Sequence, residues 1–399
     1  MPKGLLIIGN YPPPYGGVPK HLETLVPVLV KEGWNIHVVS GGNQGVFPNP
    51  SYTIYKRNKW GRLLQVVRRF MGLNRGWPGL RLLVSDPYHW LRYSQYIAEA
   101  ENIVQTQNIS LISAYNLYSY ALVGVAISRK YGIPLVVTNF GELYSHEWFF
   151  KKHPWILKEV VDASSVLLAM SSHCGQSYSR FNLHPQVKVI PYGVDLQTFS
   201  CGSPSQDIFK NLGLPPTGFT VLFVGRLVRD MGLDTFMSAA ESLLPRRNDV
   251  NFVIVGQKGE LLTQAISLAK AYPGRVILAP NVKYHDLPDY YRCCSLVAAP
   301  TAGERACGSL SALEGMATGK PVLASRTGGI PEIVIDGETG VLVTPGDPMA
   351  LANAIERLAD SKELVASLGR KALARARDYY SEGELNSRIA ALFDAVGTK

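Results

Sequence analysis

Two carboxylates, Glu304 and Glu314, stand ten residues apart in the stretch SLVAAPTAGERACGSLSALEGMATGKPVLAS, residues 295–325, on either side of Gly308, Ser309 and Ser311. The stretch reads as an apolar strand, a loop of small residues, a helix and a second apolar strand entered through Gly319, Lys320 and Pro321. A carboxylate at the end of a buried strand can accept hydrogen bonds from hydroxyl groups. The N–H groups of Gly308, Ser309 and Leu310 would open a helix, where unpaired amides attract anions. Hydroxyls beside a phosphate is the chemistry these residue types suit. A plain serine cap between solvated glutamates fits the same residues, so the rest of the chain has to decide.

Two further segments carry residues of that kind. The first strand, GLLIIGN, runs into a proline-rich loop whose Gly16 and Gly17 open a helix, and glycines there let backbone amides approach a phosphate closely. The strand FTVLFVG ends at Arg226, whose planar fork binds phosphate oxygens in pairs and keeps its charge. Neither segment has the GxGxxG spacing of a dinucleotide fold, which excludes a Rossmann dehydrogenase.

These residues have to be positioned by parallel strands with crossover helices. Strand-length apolar runs alternate with amphipathic segments through GLLIIGN, NIHVVSG, SLISAY, PLVVTNF, SVLLAMS and VKVIPYG, and again through FTVLFVG, VNFVIVG, RVILAP, SLVAAPT, PVLAS and GVLVTP. The turn-rich segment between the two series predicts two doubly wound α/β domains, residues 1–197 and 198–379. A terminal helix over about 380–396 would pack back on the first. A chain of 399 residues suits two cores rather than one.

Composition is that of a globular protein, with 46% hydrophobic and 18% charged residues. The chain has no apolar run of the roughly 18 residues that a membrane span needs, and its start is too short for a signal peptide, so a cytoplasmic location is expected. Five cysteines show no CxxC or Cys/His spacing for a zinc site, and no metal is expected. The net charge of +9 lies wholly in residues 1–197, which hold 19 Lys and Arg against 10 Asp and Glu. Two segments there mix aromatic and basic residues, Trp60–Leu73 and Trp148–Leu157. They predict peripheral contact with an anionic membrane surface. No nucleic-acid motif accompanies the charge.

Taken together, PPPYGGVPKHLETLVPVLVKEGWNIHVV, VIPYGVDLQTF, VLFVGRLVRDMGLDTF and the long run from Leu287 to Val343 resemble the retaining glycosyltransferases of family 4. The resemblance implies the GT-B fold, two Rossmann-like domains facing across a cleft. It also implies a nucleotide diphosphate sugar as donor, bound mainly by the C-terminal domain, no cofactor and no essential metal. By position, Glu304 matches the glutamate that contacts the donor sugar and Glu314 the one that accepts the ribose hydroxyls. Gly308, Ser309 and Leu310 match the diphosphate amides, and Asn281 and Val282 the loop against which the base lies. The expected reaction moves a hexose to a lipid-linked or cell-envelope glycan.

The chain departs from the family pattern at three places. Nine residues, not seven, separate Glu304 from Glu314. Met231 stands where a phosphate-binding lysine is usual, so Arg229, Lys258 or Arg305 would have to supply the charge. Phe140 occupies the place of a catalytic-site histidine, leaving Glu142 or His146 to assume part of its role. A scaffold of the same fold that has lost catalysis is therefore the competing reading.

Overall fold

The computed structural model describes residues 3–9, 17–41, 45–49, 52–56, 79–203, 208, 212–213, 218–256 and 258–397. The chain divides into two compact units, residues 1–190 with 386–399, and residues 191–385.

The first unit is built on an eight-stranded sheet: β1 Lys3–Ile8, β2 Trp34–Ser40, β3 Gly45–Asn49, β4 Tyr52–Lys56, β5 Leu111–Tyr115, β6 Leu135–Asn139, β7 Val166–Ala169 and β8 Val187–Val189. The order across the sheet is β3-β4-β2-β1-β5-β6-β7-β8. All neighbours are parallel except β3 and β4. All five residues of β5 and of β6 are buried, as expected when helices cover both faces of a parallel sheet. The β3–β4 hairpin was not legible as strands in the sequence. It lies at the sheet edge, and β3 contains Pro48, which an edge strand tolerates because no second neighbour needs its missing N–H.

The second unit holds β9 Phe219–Val224, β10 Val250–Gly256, β11 Val276–Pro280, β12 Leu296–Ala299, β13 Val322–Ser325 and β14 Gly340–Val343. They form one parallel sheet in the order β11-β10-β9-β12-β13-β14. The chain builds outward from β9 on one side, then returns to place β12 on the other. In the first unit the same reversal occurs between β1 and β5. Ligands of open α/β sheets bind at the carboxyl ends of strands flanking such a reversal.

The division falls at Ile190 rather than at residue 197 because the segment after β8 is tied to the second unit. Val194 donates its N–H to Tyr380 O at 2.8 Å and accepts from Glu382 N at 3.1 Å. A Cβ on Gly193 would lie 2.3 Å from Glu382 Cα, so only glycine fits that crossing. The last helix, Glu382–Gly397, contributes Asn386 onward to the first unit, where Asp394 pairs with Lys3 at 2.9 Å.

Of the aromatic-basic segments, Trp60–Leu73 lies outside the described residues. In Trp148–Leu157 the structure corrects the expectation of a surface-seeking face. Phe149, Phe150, Ile156 and Leu157 are buried in the core, and Trp155 packs against it with Arg81 5.4 Å over its ring. Lys151 and Lys152 face Glu147 and Asp86. Trp148 alone of these apolar side chains is well exposed. Among the described residues, no helix is long and apolar enough to cross a membrane.

Candidate functional site

In the second unit the reversal brings together the loops after β9 and β12. Arg226 follows the end of β9 and is exposed, while Glu304 sits in an exposed turn after β12. The two loops touch closely. Ala302 N donates to Asp230 O at 3.2 Å, and Gly232, in the left-handed region at φ 73°, leaves no room for a Cβ because Pro300 O occupies that place. Burial and the Arg226 charge both lower the Arg305 guanidinium below its ordinary value. Arg305 also pairs with Asp230.

The helix that follows, Leu310–Ala317, starts at a true cap. The Ser309 hydroxyl accepts from Ala312 N at 3.2 Å and lies 3.1 Å from the Ser311 hydroxyl. Among the described residues, the N–H groups of Gly308, Ser309 and Leu310 make no hydrogen bond. They form the amide end of the helix, at the same strand end as Arg226 and Glu304.

Glu314, on the same helix, is buried. Its Oε2 accepts from the Tyr291 hydroxyl at 2.6 Å, and Tyr291 is itself completely buried in the helix Leu287–Cys293. Burial and the Glu314 carboxylate push the Tyr291 hydroxyl well above its ordinary value, so it stays a donor. A carboxylate has about four acceptor sites, so this bond orients Glu314 without exhausting it. Tyr291 was not singled out in the sequence, where it is one residue of the long run from Leu287 to Val343.

Asn281 follows β11 with φ 60°, a left-handed backbone that asparagine tolerates, and its N–H reaches Gly256 O at 3.4 Å beside the end of β10. Val282 is half-buried against the core. Met231 packs on the core, its Cε 3.2 Å from where a Cβ on Gly225 would be. Arg229 pairs with Asp234 at 3.2 Å.

In the first unit Gly17 begins the helix Gly17–Lys31 after β1, and Gly16 lies outside the described residues. Phe140 follows β6, and its N–H donates to Glu142 Oε2 at 2.9 Å. Asn139 pins this loop, accepting from Gly141 N at 2.8 Å and donating to Cys174 O at 2.9 Å and Ser177 Oγ at 3.1 Å. Glu142 is buried, and burial pushes its carboxyl up to about 7 against the N–H groups of Phe140, Glu142 and Leu117. Such a group exchanges a proton near neutrality, as a catalytic acid or base must.

His146 is stacked on Tyr118 at 3.9 Å, with Nδ1 2.9 Å from the Ser145 hydroxyl. A second histidine, not singled out in the sequence, stands beside Phe140. His21 projects from the helix Gly17–Lys31, its ring 6.3 Å from that of Phe140 and 6.0 Å from that of Tyr115. Burial holds it down to about 4, so the imidazole is neutral at pH 7. In VPKHLETLVPVLV it falls on the apolar face, a place where a histidine is easily read as core.

Comparison with known proteins accounts for both units. Residues 15–198 match the family model Glycosyltransferase Family 4, and residues 204–375 match Glycosyl transferases group 1. A D-inositol 3-phosphate glycosyltransferase of Arthrobacter sp. is 30% identical over 305 residues, 71% of this chain and 70% of that protein. Among solved structures, the sucrose-phosphate synthase of Thermosynechococcus elongatus superposes with a TM-score of 0.77 at 21% identity over 99% of both chains. HepE of Anabaena, in complex with UDP and glucose, gives 0.76 at 20% identity over 98% of this chain and 100% of that one. With two adjoining models spanning most of its length and the fold of these structures, the chain belongs to the family 4 glycosyltransferases.

Proposed function

We propose that the chain moves a hexosyl group, with retention of configuration and without a metal ion, from a nucleotide diphosphate sugar to a hydroxyl of an acceptor. The observation that carries this reading is the strand-end arrangement of the second unit. Arg226, three unpaired amides at the start of a capped helix, and Glu314 oriented by Tyr291 all follow β9 or β12 or pack beside them. In this reading Arg226 and the amides of Gly308, Ser309 and Leu310 take the diphosphate. Glu314 takes the ribose hydroxyls, Glu304 the sugar hydroxyls, and Asn281 with Val282 face the base. Arg305 supplies the second cation in place of a lysine at 231. HepE, whose structure contains UDP and glucose, supports the donor class.

Retention follows if the acceptor attacks on the face the leaving group departs from. The bond between the anomeric carbon and the diphosphate oxygen breaks, the acceptor oxygen bonds that carbon, and the acceptor proton passes to the departing oxygen. The chain then need only position both partners and stabilise the developing diphosphate charge. Glu142, near neutrality in its proton affinity, and neutral His21 serve the acceptor side in the first unit.

A lipid-linked or cell-envelope glycan acceptor, met at the inner membrane face, remains part of the proposal. Its membrane support rests on Trp60–Leu73 now that Trp148–Leu157 is mostly core. The name of the Arthrobacter relative favours a second reading, a small phosphorylated polyol. The test is a thermal-shift and product screen of the full chain across nucleotide sugars. The expected result is stabilisation and turnover with one of them. Binding without hydrolysis or transfer would favour a scaffold that has lost catalysis, and no binding would overturn the donor assignment.

A further inference from the structure

The first unit carries a second polar cluster beside the Glu142 loop, where the helix Pro87–Thr106 begins and where β5 and β6 end. Asp86 caps that helix, accepting from His89 N at 3.3 Å, and its Oδ1 also stands 2.9 Å from His89 Nδ1. Its Oδ2 lies 3.3 Å from both Lys152 Nζ and His153 Nε2. Burial alone would raise the Asp86 carboxyl, but the contacts with His89 outweigh it and hold the group well below the usual carboxylate range. The carboxylate stands beside Nδ1 without the alignment of a hydrogen bond, so its hold on the ring is electrostatic, and the backbone N–H of His89 makes the directed contact. His89 Nε2 is 2.6 Å from the Tyr118 hydroxyl. This contact anchors the Tyr118 hydroxyl on its inner side.

What surrounds Tyr118 is not ordinary core. Trp148, 55% exposed, stands edge-on to it at 6.4 Å, and Tyr88, 70% exposed, flanks His89 at 5.1 Å. Arg92 lies 5.5 Å over the Tyr118 ring and donates to Ser119 Oγ at 3.0 Å. Among the described residues, no carboxylate pairs with Arg92. A half-buried guanidinium without a carboxylate, next to exposed aromatic rings and an anchored hydroxyl, is a set of groups that meets a sugar ring on its apolar face and an anion at its edge.

We propose that Arg92, Tyr118 and Trp148 form an acceptor subsite, and that the acceptor is a sugar or cyclitol bearing a phosphate. Arg92 takes the phosphate, the Tyr118 oxygen accepts a ring hydroxyl, and Trp148 covers the ring. Asp86 and His89 are positioning residues for Tyr118. The proposal rests on the reading that the first unit binds the acceptor. It is independent of how the second unit holds the donor.

Calorimetry on the full chain tests it. The phosphorylated ligands are glucose 6-phosphate, inositol 1-phosphate and a polyprenyl phosphate sugar in detergent micelles; glucose and inositol are their neutral counterparts. At least one phosphorylated ligand should bind about tenfold or more tightly than its neutral counterpart, the range for a hydrogen bond to a charged group. Binding of the micellar ligand alone would identify the phosphate as lipid-borne, and binding of a free one as soluble. Arg92→Gln should abolish the preference, Arg92→Lys should keep part of it, and Trp148→Ala should weaken neutral and phosphorylated ligands alike. UDP-sugar affinity should stay at the parent level in all three, which separates a failure here from a failure of the donor assignment. No preference in the parent, or a preference that survives Arg92→Gln, overturns the proposal.

Discussion

Glu142 and His21 titrate in opposite senses, and removing one should expose the other. The Glu142 carboxyl is raised from 4.5 to about 7 by burial. Between those values the folded chain keeps a proton that the unfolded chain has lost. Its contribution is therefore fully present below pH 4.5 and is withdrawn as pH rises through about 7. At 1.36 kcal/mol per pKa unit, this amounts to about 3 kcal/mol. His21 is lowered from 6.5 to about 4, again by burial, so its contribution is present above pH 6.5 and lost as pH falls toward 4. The magnitude is again about 3 kcal/mol. Both side chains are nearly inaccessible, at 3% and 7% exposure, so solvent screening takes little from either figure. Over the range they share the two slopes cancel in the parent. Glu142→Gln keeps the shape and removes the titration, so the stability of the variant relative to the parent should rise by about 3 kcal/mol between pH 4.5 and 7.5. His21→Gln should produce the opposite trend. Scanning calorimetry at half-unit pH steps reads the difference, with the transition of the first unit identified as the one the substitution moves, since a chain of two units need not unfold in one step. Parallel stability curves for parent and Glu142→Gln would show that water reaches Glu142 and would refute the reasoning.

Other expectations concern the second unit and the surface. Glu314→Ala should weaken nucleotide binding at least about tenfold, because the ribose hydroxyls lose a charged acceptor; unchanged affinity by calorimetry would remove Glu314 from the site. Tyr291→Phe should lower the same affinity by a smaller factor, since it frees the orientation of Glu314 and leaves its charge in place; equal losses for the two variants would mean that Tyr291 acts through folding alone. Met231→Lys should tighten binding of a nucleoside diphosphate, the added stem lying along the core and the ammonium reaching outward, with the gain shrinking in high salt; a salt-independent result would place residue 231 away from the phosphate. Sedimentation with anionic and neutral vesicles tests the membrane surface. Replacing Arg62, Arg68 and Arg69 by alanine should weaken anionic attachment by roughly 3 kcal/mol, at about 1 kcal/mol each, whereas a parent that stays in the supernatant with both vesicles refutes membrane contact.

The alternation of apolar and amphipathic segments was enough to place both sheets, because a strand buried on two faces has to be apolar throughout, and β5, β6 and β9–β14 were each readable as such runs. Spacing along one short stretch also determined that Glu304, the serine cap and Glu314 would follow a strand in that order, since a cap and a buried helix face are local properties. Strand order was a different matter. That β12 returns to the side of β9, and so brings the loop after Arg226 against the loop that leads to Glu304, depends on contacts between residues about 70 positions apart, for which the sequence has no local signal. The burial of Trp148–Leu157 went the same way: the aromatic and basic pattern was right, but which face met the core was decided by packing of Phe149, Phe150 and Leu157 beneath the first unit's helices. His21, Tyr291 and the Asp86–His89–Tyr118 chain were visible only as ordinary helical residues. A buried polar group takes its proton affinity and its partner from what surrounds it in space, and those neighbours come from distant segments that only the tertiary structure brings together.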